Sequence, residues 1–154
     1  MRVRCSVNGL TQDLDVEPWE LLVDVLRDRL RLTGTKRSCD VQVCGSCTVL
    51  LNGRAISSCT TLAAEMDGRE VTTIEGFAVD GQLSPVQQAF VDASALQCGF
   101  CTPGFVTTCH ALRAEHPDAD SATIAHYLAG NLCRCTGYQS IVEAARRAVE
   151  APDG

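Results

Sequence analysis

Eight of the ten cysteines fall into two spaced sets, and that spacing fits iron–sulfur chemistry. Cys39, Cys44 and Cys47, with Cys59 further on, follow the C-x4-C-x2-C…C pattern of plant-type [2Fe–2S] centres. Three closely spaced thiolates need a loop that folds around an iron pair, and the fourth must return to it from outside. Residues 48–58 offer the return path: an apolar run (TVLL), the pair Asn52-Gly53, then RAIS. Asn-Gly favours the two-residue type I′ turn, so a hairpin should carry Cys59 back beside the loop.

The second set is Cys98-x2-Cys101 with Cys133-x-Cys135, separated by 31 residues. Its surroundings, QCGFCTPG and NLCRCTGY, place Gly or Thr-Gly beside the thiolates. Small neighbours let backbone N–H groups approach the sulfurs, stabilising their charge and tuning a potential. Two cysteine pairs could equally hold one tetrahedral zinc. C-x-C and so long a gap suit zinc poorly, so spacing favours iron–sulfur while leaving zinc open.

The other candidates have blander readings. Cys5 lies in an alternating run and Cys109 in a helical stretch, where free cysteine packs as a small hydrophobe. His110, His116 and His126 could replace cysteines in a Rieske-type centre, but eight cysteines already satisfy two clusters, which leaves the histidines packing roles. Arg134, between two cysteines, either steadies a reduced centre's charge or faces solvent. Gln97, read alone, is either a helix-end cap or a neighbour of the Cys98 site.

Composition narrows the class. A formal charge of −6 argues against nucleic acid, and two clusters bearing thiolates would bring it to about −10. No stretch reaches the length of a membrane span. The N-terminus MRVRCSVNGL lacks the run and cleavage site of a signal peptide, which predicts a cytoplasmic chain. Clustered cysteines in a reducing compartment bind metal or do redox work rather than form disulfides. There is no G-x-G-x-x-G and no P-loop, so flavin or nucleotide would sit on another chain.

The elements that must position these residues read as α+β. Residues 2–7 and 11–16 alternate around Asn8-Gly9 and predict a hairpin. After Pro18, set in a first turn, Leu21, Leu22, Val25, Leu26 and Leu30 line one face of a helix. The second hairpin follows, and Glu70–Ile74 closes the sheet. This makes an N-terminal β-grasp, plant-type ferredoxin-like domain over 1–76, with Glu75–Gly81 a polar linker. Residues 77–154 predict a C-terminal four-helix bundle-like domain. Its helices start at Ser84-Pro85 (to about Ala95), Pro103 (to about Glu115), Asp120-Ser121 (stopped by Gly130) and Ser140, with Ile141, Val142, Ala145 and Val149 facing inward. Both cysteine pairs then fall at helix junctions at one end of the bundle.

The combination TGTKRSCDVQVCGSCTVLLNG, QCGFCTPG and LCRCTGY resembles the small iron–sulfur subunit of the molybdenum hydroxylases, the xanthine oxidase family, over nearly the whole chain. The resemblance implies two [2Fe–2S] clusters, the second set lying nearer a molybdopterin centre on a large subunit and the first nearer FAD on a medium subunit. It implies that Gln97 and Cys135 lie against the pterin, where electrons enter, and that the subunits assemble into a hetero-oligomer such as a dimer of heterotrimers. The family usually has glycine at the positions of Ser38 and Gln42, and each replacement removes a ready φ > 0 option. A stand-alone two-cluster ferredoxin is the alternative function, and a zinc-binding interaction module a third.

Overall fold

The structure, a computed structural model, describes residues 1–152; Asp153 and Gly154, the end of the expected C-terminal unit, lie outside the described residues. Among the described residues a mixed five-stranded sheet and five helices make an α+β fold.

The first hairpin forms as its alternation predicts. β1 (Arg2–Val7) pairs antiparallel with β2 (Leu10–Asp15), burying Val3, Cys5 and Val7 on one face. The helix after Pro18 opens later than predicted. Leu21 stays extended in a β-bridge to Leu62, and Leu22 N donates to Thr61 O at 2.9 Å. The element therefore begins as α1 (Leu22–Asp24), widens into a π turn over Val25–Arg29, and leaves Pro18 outside. Leu22, Val25 and Leu26 fill the core beneath the sheet, and Val23, absent from the predicted face, is also fully buried.

β3 (Thr48–Leu51) and β4 (Arg54–Ser57) form the second hairpin, with Asn52 and Gly53 at φ 50° and 80° as a type I′ turn requires. β5 (Glu70–Thr72) lies between β1 and β3, parallel to the first and antiparallel to the second, giving the order β2-β1-β5-β3-β4. All four residues of β3 are buried because helices cover its second face, which explains an unbroken apolar run where one-sided burial would show alternation. β5 ends two residues short of Ile74: the Asn8 side chain takes the Thr73 N–H at 2.8 Å, and Ile74–Gly76 turns into a 3-10 helix.

The expected linker is anchored. Glu75 accepts from Gly34 N at 2.7 Å and from the Thr73 hydroxyl, and Phe77 stacks on His110 with ring centroids 3.7 Å apart. α2 (Pro85–Asp92) starts at Ser84, which caps Gln87 N, and stops before the predicted Ala95. α3 (Thr102–Glu115) and α4 (Ser121–Tyr127, extended by a 3-10 turn to Gly130) agree with the signals that predict them. α5 (Gln139–Glu150) is not capped by Ser140. Its N-cap is Tyr138, held at φ 70° because its hydroxyl accepts from Cys133 N and its own N–H donates to the Thr136 hydroxyl. α2 to α5 share one core built on Phe90, Phe105, Leu112, Ile124, Ile141 and small alanines. Val142 and Val149, predicted to face inward, only border that core, while Ala144 and Ala148 are in it.

Candidate iron–sulfur sites

Three cysteines of the first set, Cys39, Cys44 and Cys47, sit on the loop between α1 and β3. Arg27 fixes the start of that loop by donating to the Thr33 and Thr35 carbonyls at 3.0 and 2.6 Å, and Arg37 pairs with Asp24 and Asp40. Further round, the chain turns through Asp40 at φ 57°, Gln42 at 56° and Gly45 at 69°. Left-handed residues interleaved with others turn the intervening N–H groups inward, and the sulfurs receive them. Cys39 Sγ accepts from Val43 N and Cys44 N at 3.4 Å each. The Val41 N–H, with those two donors, holds the Cys39 thiol down at about 6, within reach of the thiolate form that iron binds.

The hairpin delivers Cys59 as its turn predicts. Ser58 N and Oγ both donate to the Cys47 carbonyl, which locks the two cysteine segments together. Behind them Val23 of α1 packs on Cys47 and Cys59. Burial pushes the Cys59 thiol up to about 12; the Gln42 N–H opposes that, and the Cys47 thiol beside it adds to it.

The second set is assembled from the α2–α3 and α4–α5 junctions, as predicted. Cys98 and Cys135 Sγ lie 3.5 Å apart at the surface, and their contact raises the Cys135 thiol. Burial and the adjacent Cys133 thiol push Cys101 up to about 12. Burial also works against the Cys133 thiolate, but the Thr136 hydroxyl at 3.2 Å and Thr136 N at 3.4 Å, with Cys135 N–H, bring it down to about 7.

Thus within each set the sulfurs lie near enough to act on one another: Cys44 on Cys39, Cys47 and Cys39 on Cys59, Cys133 and Cys98 on Cys101, with Cys98 and Cys135 in direct contact. Among the described residues no three or more His, Cys, Asp or Glu side chains converge on a point suited to a single metal ion. A tetrahedral zinc needs four ligands around one point, whereas a two-iron cluster needs two ligands at each end. Two sets of four thiols are the donors that [2Fe–2S] clusters require.

Gln97 is exposed beside Cys98, four residues past the C-cap of α2, so it does not cap that helix. Arg134 is exposed. His110 packs between Phe77 and Ser84, and His116 meets Tyr127 edge-on. Cys5 is buried in the core under the sheet, and Cys109 in the helical core that Cys133 and Cys101 also border. Sequence reasoning missed Thr136, Tyr138 and Asn131, polar residues that brace the second set; only the Thr-Gly signal beside Cys135 pointed toward one of them.

Comparison with known proteins places this geometry. Residues 20–95 match a family described as a 2Fe-2S iron-sulfur cluster binding domain, and residues 73–146 one described as a [2Fe-2S] binding domain. The chain is 49% identical over 144 residues to the 6-hydroxypseudooxynicotine dehydrogenase complex subunit beta of Paenarthrobacter nicotinovorans, covering 93% of this chain and 90% of that protein. It is 47% identical over 143 residues to the xanthine dehydrogenase iron-sulfur-binding subunit of Escherichia coli O157:H7, covering 91% and 89%. A chain of quinoline 2-oxidoreductase from Pseudomonas putida 86 superposes with TM-score 0.93 at 41% identity, covering 97% of this chain and 94% of that one.

Proposed function

The chain belongs to the iron–sulfur subunits of the molybdenum hydroxylases and is part of an oxidoreductase; on that premise we propose that it holds two [2Fe–2S] clusters and relays electrons through them between partner subunits. Cys39, Cys44, Cys47 and Cys59 hold one cluster, on a β-grasp unit over 1–76. Cys98, Cys101, Cys133 and Cys135 hold the other, on a helical unit over 77–154. Each cluster, when bound, takes up and returns one electron.

The observation that carries this reading is the gathering of the eight thiols into two sets of four, with backbone N–H groups aimed at Cys39 and Cys133. The two sets differ in access. Cys98 and Cys135 are exposed and flanked by Gln97 and by the exposed apolar side chains Leu96, Phe100 and Leu132, while Cys47 and Cys59 are buried. An exposed sulfur edged with apolar surface suits docking of a partner that delivers electrons, because short contacts form there and water is expelled. That partner is the large molybdopterin-binding subunit. Electrons then pass to the first set and on to FAD on a medium subunit, the whole forming a hetero-oligomer such as a dimer of heterotrimers. No described helix is long and apolar enough to cross a membrane.

The test is metal content and company. The purified chain should be brown with about four iron and four acid-labile sulfide. A colourless, zinc-loaded protein would overturn it. Native purification should bring down a large and a medium subunit, whereas a chain that purifies alone with full iron favours a diffusible carrier.

A further inference from the structure

Between the two thiol sets lies a buried polar side chain that neither set uses. Asn131, two residues before Cys133, is 5% exposed. Its Nδ2 donates to the Gly45 carbonyl at 3.2 Å, and its Oδ1 accepts from the Thr108 hydroxyl at 3.1 Å. Partners at both ends fix the amide's orientation. The next residue continues the grip: Leu132 N donates to the Cys44 carbonyl at 2.9 Å.

The bland reading is that Asn131 merely satisfies a buried carbonyl. Gly45 O does not need it, because Thr48 N and the Thr48 hydroxyl already donate there at 3.2 and 2.7 Å. What Asn131 adds is a tie between two loops 86 residues apart in sequence, immediately beside a cysteine of each set. A single peptide unit and a single hydrogen bond, from Cys133 through Leu132 to Cys44, then connect the sets.

We infer that Asn131 is a positioning residue for transfer between the two centres, holding the Leu132–Cys44 hydrogen bond and with it their separation and relative orientation. This rests on the two-cluster reading above. The step moves one electron from the centre held by Cys133 to the centre held by Cys44; no bond, proton or leaving group changes place.

The test uses the assembled complex with Asn131→Ser, which shortens the tie, and Thr108→Val, which removes only the hydroxyl that orients the amide. Three properties are compared with the unaltered complex: inter-centre transfer by rapid-freeze EPR, magnetic splitting between the two dithionite-reduced centres, and amide exchange in the peptide containing Leu132. With iron retained, transfer should slow about tenfold, in the range of losses when a supporting partner is removed. The splitting should change and exchange quicken. Either variant with full iron and all three properties unchanged overturns the inference. If both lose iron, Asn131 builds a centre rather than spacing two, and the inference also fails. Fewer than four iron per copy of this chain in the unaltered complex would instead sink the two-cluster reading, before any variant is made.

Discussion

Gly104 of α3 lies against the carbonyl of Gly45, so close that a Cβ built on Gly104 would overlap that oxygen and crowd Ser46 Cα. The contact seats the helix that follows Cys101 directly on the loop that carries Cys44 and Cys47. Two effects oppose each other in Gly104→Ala. Alanine favours the helix by up to about 1 kcal/mol, while forcing a packed backbone aside costs about 1–3 kcal/mol. The displaced atom is main chain in a hydrogen-bonded loop, so the cost prevails. The variant should melt below the unaltered protein and lose iron selectively from the first set. Equal stability with full iron would show that the loop yields freely.

Gln42 tests a departure from the family pattern. Of the two positions where the resembling family carries glycine, only Gln42 adopts the left-handed region, at φ 56°; Ser38 does not, so its substitution is conformationally silent. A non-glycine residue there costs about 1 kcal/mol, partly returned because glycine is freer in the unfolded chain. Gln42→Gly should therefore change stability by less than about 1 kcal/mol. Its effect should appear in the potential. The Gln42 N–H reaches the Cys59 sulfur, and its side chain accepts from Thr60 at 3.2 Å, covering that sulfur's surroundings. Removing the side chain admits water, so redox titration should show a shifted potential at unchanged iron content. An unmoved potential would make the glutamine irrelevant to the centre.

The two remaining cysteines should be dispensable for metal. Burial raises both thiols, Cys109 to about 12, which keeps them protonated and poor ligands. Cys5→Ala and Cys109→Ala should each cost about 1 kcal/mol in denaturant unfolding and keep every iron. Iron loss from either variant would mean a ligand has been misassigned.

What the sequence made legible follows from where the information lies. The Asn52-Gly53 hairpin and the Ser84-Pro85 cap are local, each set by a few adjacent residues, and each forms as read; the cysteine spacings are equally local. The start of α1 was not legible, because Leu21 is drawn into a bridge with Leu62, 41 residues on. Nor was the start of α5, where Tyr138 is held by Cys133 N and Thr136 rather than by a serine cap. Asn131 was hidden for the same reason: its partners lie 23 and 86 residues away, and nothing in an Asn-Leu dipeptide announces a tie between loops. The expected linker misled through composition. Glu75 and Gly76 look solvent-bound, yet Gly76 packs against the Asn8 side chain and Phe77 packs against the helical core.

That anchored segment makes one pH dependence accessible. His110 lies under the Phe77 ring and meets the Ser84 hydroxyl at 3.0 Å, so it joins the incoming segment, the α2 cap and α3. Burial, with the positive Arg113 nearby, lowers its pKa from 6.5 to about 4. The folded protein thus binds this proton less readily than the unfolded chain. Below 6.5 the unfolded chain takes up the proton first, so the contribution of neutral His110 is complete at pH 7 and is lost as pH falls toward 4. By pH 5 the loss should reach about 2 kcal/mol. Urea unfolding of the unaltered protein and of His110→Gln, at intervals from pH 7.5 to 5, isolates this contribution from the carboxylates common to both. The glutamine variant should start less stable, having lost the stacked ring, and then fall less steeply, so that the two curves approach each other as the solution is acidified. Parallel curves across that range would show that His110 titrates alike in the folded and unfolded chain, its ring opening to water without cost.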